Sequence, residues 1–121
     1  MGKLLLILFS PPTQLQNIVT VCELSIAAVE MGHEVTVFFD VDATQNLVAS
    51  QTVPSKTTPA SRIADLIKRG VRVLVCRESA RLRGIDTKKD LIHGAVESSL
   101  GELADLMGRH DRIVAFGSGD R

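Results

Sequence analysis

The chain contains no tryptophan and no tyrosine, and only four of its 121 residues are phenylalanine. It therefore lacks a set of aromatic side chains on which single-stranded nucleic acids could stack their bases. Fourteen Lys and Arg residues are balanced by fourteen Asp and Glu residues, so no net charge attracts nucleic acid or an acidic membrane surface. Nucleic-acid binding is consequently not expected.

Cysteine and long apolar runs are also scarce. Two cysteines are too few for a disulfide framework, and they favour a reducing, cytoplasmic location. The first apolar run, Leu4 to Phe9, is far too short to span a bilayer, and the prolines that follow it do not resemble a signal-peptidase site. We therefore expect no membrane span and no export signal. The content of 45% hydrophobic and 23% charged residues is typical of one globular domain, residues 1–121.

Apolar runs with strand character alternate along the chain with segments of helical periodicity. Five strands are predicted, at residues 3–9, 34–39, 71–75, 95–97 and 112–116. Helices are predicted over residues 13–31, 43–49, 60–69 and 77–83, and again after residue 99. Thr13, Thr58 and Ser99 are the predicted caps, and Gly32, Gly70 and Gly84 the predicted stops. This order predicts an α/β fold, a three-layer α/β/α sandwich with a five-stranded, mostly parallel sheet.

The segment from Gly70 to Gly84 carries the clearest functional signal. Its buried strand ends at Cys76, and a short helix begins immediately afterwards. In that position, free backbone N–H groups and the helix dipole would face the sulfur and favour the thiolate. Arg77 and Arg81 add positive charge nearby. We therefore predict an accessible, nucleophilic thiol at the carboxyl-terminal edge of the sheet.

Other residues are predicted to share that edge, because right-handed crossovers collect the carboxyl ends of parallel strands on one side. The set is Ser10, Asp40, Asp42, Cys76, Glu97 and the tail 117–121. Asp40 and Asp42 are most simply turn and cap residues rather than a catalytic pair.

A structural role for these residues stays open. Cysteine is among the most frequently buried residue types, so Cys76 could simply pack in the core. Cys22 lies on the apolar stripe of the first helix and is predicted to be a core residue. The arginines after Cys76 could equally form a solvated helix face.

The histidines restrict the chemistry that Cys76 could perform. A Cys-His hydrolase requires an imidazole within hydrogen-bond reach of the thiol. His33, His93 and His110 each precede a predicted strand and so belong to the opposite, amino-terminal edge. Their separation also disfavours a zinc site. What remains is thiolate chemistry without a general base, in which a sulfane sulfur is accepted as a persulfide or thiosulfonate and passed on.

At this point the sequence resembles the DsrE/TusD-like family of small sulfur-trafficking proteins. The similarity extends over nearly the whole chain: the strand Leu4–Phe9, the stretch MGHEVTVFF at 31–39, GVRVLVC at 70–76, RGI at 83–85 and DRIVAF at 111–116. The resemblance implies a five-stranded parallel sheet between helices and assembly into trimers or hexamers. It also places Cys76 at the position of the family's persulfide-carrying cysteine.

These observations lead to a hypothesis of a cytoplasmic sulfur carrier or sulfurtransferase that uses no metal and no cofactor. Cys76 would accept the sulfur, and Arg77, Ser79, Arg81 and Ser10 would stabilise the anionic states. The partners would be further copies of the chain, paralogous subunits, or a protein that donates or accepts sulfur.

Two alternatives differ in class. The first is a non-catalytic binding or assembly subunit, in which Cys76 only packs. The second is a small-anion or nucleotide-binding module that uses the tail 117–121.

The polar segment 50–59 is predicted to be a surface loop.

Overall fold

Five parallel strands form one sheet in the spatial order β4-β3-β2-β1-β5 in this computed structural model, which describes residues 2–50 and 57–117. The strands are β1 (Lys3–Leu8), β2 (Glu34–Phe39), β3 (Arg72–Cys76), β4 (Val96–Ser98) and β5 (Arg112–Phe116). The helices are α1 (Leu15–Glu30), α2 (Pro59–Lys68), α3 (Arg77–Leu82) and α4 (Leu100–Arg109), with a 3-10 helix at Val41–Leu47. The predicted α/β sandwich with a parallel sheet is confirmed.

The order of the strands determines which helix covers which face. From β1 to β4 each step moves in the same direction across the sheet, so right-handed crossovers place α1 and α2 on one face. The chain then returns to the far side of β1 to form β5, which places α4 on the other face. The strand order therefore reverses between β1 and β5.

The core consists of two clusters, one on each face of the sheet. The larger cluster joins α1, α2 and the 3-10 helix to alternate strand residues such as Leu6, Val37 and Val73. The smaller cluster contains Leu5 and Phe38 and is covered by α4. Of the ten residues of α4, only Leu106 is buried. The face under α4 is therefore covered much more thinly than the face under α1 and α2.

Several predicted ends of helices are confirmed. The Thr58 hydroxyl accepts a hydrogen bond from the Ser61 N–H at 3.0 Å, and the Ser99 hydroxyl accepts one from the Glu102 N–H at 3.1 Å. Gly32 has a φ of 90°, the left-handed conformation expected of a residue that ends a helix.

Other local predictions need correction. Thr13 is not a cap, because α1 begins after Gln14 and has no side-chain cap hydrogen bond. The segment predicted as a helix at 43–49 is a 3-10 helix that starts earlier, directly after Asp40, which caps it. β4 is shifted by one residue, to Val96–Ser98, because it pairs in register with Leu74–Cys76 of β3. Most of the predicted loop 50–59 lies outside the described residues.

Among the helices that the structure describes, none combines the length and the apolar character needed to cross a bilayer.

Candidate functional site

Cys76 is the last residue of β3 and the N-cap residue of α3, as the sequence predicted. β3 lies between β2 and β4, and its carboxyl end opens at the same edge as the ends of all the other strands. Cys76 and Cys22 are both free thiols. The position on the fold is thus that of a typical site in a parallel sheet.

The expected exposure of the Cys76 thiol is not found, since Cys76 is only 1% exposed. Its side chain points to the same face of the sheet as Leu74, where it packs with the cluster that α4 covers. Phe9 and Leu103 close this cluster from outside. Within the described residues no hydrogen-bond donor reaches the sulfur, and it does not accept a bond from the first turn of α3. The alternation of side chains along β3 explains the difference, because it directs residue 76 inward rather than to the rim.

Ser79, predicted to stabilise sulfur anions, is instead part of a buried structural contact. Its hydroxyl donates a hydrogen bond to Asp40 Oδ1 at 2.7 Å. Asp40 Oδ1 also accepts the Val41 N–H at 2.8 Å, which makes it the cap of the 3-10 helix. The interpretation of Asp40 as a cap residue is therefore confirmed, and Ser79 is directed towards β2 rather than towards Cys76.

The arginines after Cys76 also differ in their surroundings. Arg83 Nε donates to Asp42 Oδ1 at 2.9 Å and Arg83 Nη1 donates to the Ser79 carbonyl at 3.0 Å. Arg81 lies in solvent and forms a loose ion pair with Glu78 at 3.7 Å. Arg77, the first residue of α3, is partly buried. Of the three arginines, Arg77 alone is next to the thiol in the chain and has no ion pair among the described residues.

Ser10 lies at the carboxyl end of β1, beside the point where the strand order reverses. Its hydroxyl accepts a hydrogen bond from Asn17 Nδ2 at 3.0 Å, and the same amide reaches the Gly117 carbonyl at 3.2 Å. Asn46 Nδ2 donates to the Ser10 carbonyl at 3.0 Å. Ser10 thus ties β1 to α1 and the 3-10 helix. The structure does not bring the four predicted stabilising residues together around Cys76.

Ser98 is a neighbour of Cys76 that the sequence analysis did not identify. The two residues are register partners on adjacent strands and share one face of the sheet. Ser98 is also 1% exposed, and its hydroxyl donates to Glu102 Oε1 at 3.1 Å. The spacing Ser99-x-x-Glu102 in the sequence is also that of a capping box, in which the Glu102 carboxylate would return to the Ser99 N–H. In the structure the Glu102 carboxylate instead accepts the bond from Ser98, the register partner of Cys76.

Val41 adds strain to the same edge. It has a φ of 43°, a left-handed conformation that β-branched residues rarely adopt. The conformation is fixed by the Asp40 cap at one side and by the Thr44 hydroxyl, which donates to the Val41 carbonyl at 2.9 Å. Strain of this kind is often concentrated at functional sites.

Cys22 behaves as the predicted core residue. It is buried on α1, and this burial raises the pKa of its thiol from 9.0 to about 11, although the nearby Arg62 acts in the opposite direction. A thiol with such a pKa is protonated at neutral pH and is a poor nucleophile.

The histidines lie away from Cys76. His33 Nδ1 accepts the Gly2 N–H at 2.9 Å, and His110 Nδ1 lies 2.6 Å from the Leu106 carbonyl, both at the amino-terminal edge. His93 is exposed in the segment before β4. In the described part of the chain no three His, Cys, Asp or Glu residues are grouped so that they could hold a metal ion.

Comparison with solved structures supports the fold assignment. The chain is similar to the YchN protein from E. coli, with a TM-score of 0.86 and 24% identity over 96% of this chain and 100% of that one. It is also similar to MTH1491 of Methanobacterium thermoautotrophicum, with a TM-score of 0.72, 18% identity and the same coverage of 96% and 100%. Among curated proteins, none matches the sequence of the chain.

The comparison with family models gives a more specific result than the structural similarity. The model of the DsrE/DsrF-like family matches residues 2–116, which include every strand and helix of the structure. The resemblance noted in the sequence is therefore confirmed, and the chain belongs to the DsrE/DsrF-like family.

Proposed function

We propose that this chain is a sulfur carrier of the reducing cytoplasm that accepts sulfane sulfur on Cys76 and relays it to a partner. The Cys76 thiolate attacks the outer sulfur of a persulfide donor. A new S–S bond forms as the donor's S–S bond breaks, and the donor leaves as a thiolate. An acceptor thiolate then takes the same sulfur from Cys76 by the same reaction, which regenerates the Cys76 thiolate without any change in net oxidation state.

The observation that carries this proposal is the position of Cys76 in a chain that belongs to a sulfur-trafficking family. The residue lies at the carboxyl end of an internal strand and at the start of α3. Cys22, by contrast, lies in the middle of α1 rather than at the carboxyl-terminal edge of the sheet. Cys76 is thus the better candidate of the two thiols.

Burial of Cys76 imposes a condition on this function. A donor can reach the sulfur only if part of the layer over this face of the sheet is displaced, and that layer includes Leu103. Leu103 belongs to α4, which buries a single side chain, Leu106. Because hydrophobic stabilisation scales with the apolar area buried, α4 is the layer whose displacement costs least. We propose that sulfur is loaded when α4 moves away from the sheet.

The direct test is loading with thiosulfate, tetrathionate or a small persulfide, followed by intact mass. We expect one sulfur adduct in wild type and in Cys22→Ala, and none in Cys76→Ala. Equal adducts on both cysteines, or none on either, would argue against a carrier role.

Burial itself favours a second candidate function, a binding or assembly subunit in which Cys76 only packs. The rate of thiol labelling at pH 7 separates the two. A carrier whose cover opens should react with a small alkylating reagent much faster than the whole chain unfolds. A packing cysteine should react only at the rate of global unfolding.

We further propose that the chain assembles with copies of itself through β5. This strand is at the edge of the sheet, so one side of its backbone has no neighbouring strand among the described residues. Ile113 is 40% exposed and Val114 is 38% exposed, although they point to opposite faces. Leu100 and Met107 of α4 are exposed as well. Assembly into the trimers or hexamers expected of the family would cover this edge.

A further inference from the structure

A second concave site lies at the amino-terminal edge of the sheet, opposite Cys76. It is a cavity of about 510 Å³, within the size range of small-molecule sites. Its walls come from the starts of β1, β2 and β3, the ends of α1 and α2, and the last turn of α4. Neither the carrier proposal nor the assembly proposal uses this cavity.

The lining of the cavity is strongly unbalanced in charge. Four cationic side chains, Lys3, Arg69, Arg72 and Arg109, face it together with only one carboxylate, that of Glu34. The whole chain has a formal net charge of zero, so this excess is a local concentration rather than a reflection of composition. A concave surface lined by one sign of charge focuses the field and attracts the opposite charge.

Two of the four cations are partly neutralised by neighbours on their own helices. Arg69 pairs with Asp65 at 2.9 Å, and Arg109 pairs with Asp105 at 2.7 Å. Arg72 forms no ion pair with any residue that the structure describes. It begins β3 and is the register partner of Thr36 on β2. Arg72 is therefore the guanidinium most available to a ligand, and its planar group is suited to bidentate binding of an oxyanion.

The cavity also has uncharged groups that limit the class of ligand. Leu106 supplies an apolar wall on the face of the sheet that carries Thr36 and Arg72, whereas Val29 and Val35 belong to the core cluster on the other face. The Thr36 hydroxyl lies beside Arg72 and 3.4 Å from His110 Nε2. The only aromatic rings among its described lining residues are the imidazoles of His33 and His110, both held by hydrogen bonds to the backbone. The combination suits a small molecule with an aliphatic body and one multivalent anionic group.

We propose that this cavity binds a small organic phosphate, with the phosphate at Arg72 and Thr36 and the aliphatic body against Leu106. Arg109 and Lys3 contribute longer-range attraction, and Glu34 opposes it. The site is at the opposite edge of the sheet from Cys76. A test that contradicts the carrier proposal therefore leaves the phosphate-binding proposal unaffected, and the reverse is also true.

The test is a titration of the full chain with n-butyl phosphate, inorganic phosphate and n-butanol, followed by calorimetry and by backbone amide NMR. We expect saturable binding of one n-butyl phosphate, weaker binding of inorganic phosphate and none of n-butanol. Amide shifts should centre on Thr36, Arg72 and His110.

Charge variants locate the site. Arg72→Gln should weaken binding about tenfold, since a hydrogen-bonded charge pair is lost. Arg81→Gln removes the same charge at the opposite edge and should leave affinity unchanged. Glu34→Gln should tighten binding a few-fold. Equal affinities of Arg72→Gln and Arg81→Gln, or no saturable binding up to about 10 mM, would overturn the proposal.

Discussion

The Ser79 hydroxyl donates a 2.7 Å hydrogen bond to Asp40 Oδ1, and this buried contact joins the helix that follows Cys76 to the end of β2. Asp40 also caps the 3-10 helix, which packs against α3. The Asp40 carboxylate thus bonds to both the 3-10 helix and α3, the segments that follow β2 and β3. The Arg83–Asp42 ion pair is a second contact between the end of α3 and the 3-10 helix.

Ser79→Ala should lower the free energy of unfolding by about 1 to 3 kcal/mol, because a buried carboxylate oxygen loses its hydroxyl partner. Denaturant unfolding of Ser79→Ala, Asp40→Ala and the double variant measures the coupling between the two side chains. Strict additivity of the two single effects would show that the hydrogen bond contributes nothing to stability.

Val41→Asn should raise the free energy of unfolding by about 0.5 to 1 kcal/mol, because asparagine tolerates the left-handed conformation at φ 43° better than a β-branched residue does. Val41 is 38% exposed, so little packing is lost. Val41→Ile, which keeps the branched Cβ, is the control and should not stabilise the chain. A stabilisation by Val41→Ile equal to that by Val41→Asn would rule out relief of strain as the cause.

The buried Cys22 thiol predicts a loss of stability at high pH. Because burial raises its pKa from 9.0 to about 11, the folded chain holds this proton more tightly than the unfolded chain does. The stabilisation is therefore complete below pH 9 and is lost as the pH rises towards 11, by roughly 2 to 3 kcal/mol in total. Urea unfolding at several pH values measures how the free energy of unfolding changes with pH. Cys22→Ala should abolish the decrease between pH 9 and 11. An identical slope in wild type and Cys22→Ala would contradict the assignment.

Ile113→Glu should reduce the size of the assembly measured by sedimentation, because a charge would be buried at the edge strand that we propose as the contact between copies. Leu82→Glu is the matched control: Leu82 is 81% exposed on α3, away from β5, and the substitution should leave the assembly unchanged. A wild-type chain that sediments as a monomer would argue against the proposed contact.

The sequence was sufficient to predict the fold because its signals are local. Apolar runs, the Thr58 and Ser99 caps and the glycine after α1 each determine a boundary without reference to distant residues. The position of Cys76 at the carboxyl end of β3 is predicted by the same local signals.

The environment of Cys76 could not be predicted in this way, because it depends on register and on packing between distant segments. Pairing of β3 with β4 places Ser98 beside the thiol. Ser98 bonds to Glu102 of α4, and Cys76 packs in the cluster that includes Leu106 of α4. Ser79 was close to Cys76 in sequence, but its orientation is decided by Asp40, thirty-nine residues earlier in the chain. The predicted tail site at 117–121 lies almost entirely outside the described residues.

The central claim is that Cys76 exchanges sulfur in the native fold. The most direct test is to transfer sulfur from a donor to an acceptor thiol with the Cys22→Ala variant, in which Cys76 is the one remaining cysteine. The protein is loaded with a small persulfide, freed of donor and then mixed with glutathione, with intact mass recorded before and after. We predict that one sulfur atom is gained on Cys76 and then lost to the acceptor thiol. A native chain that takes up no sulfur, while the same chain unfolded in urea does so, would contradict the claim and leave Cys76 a packing residue.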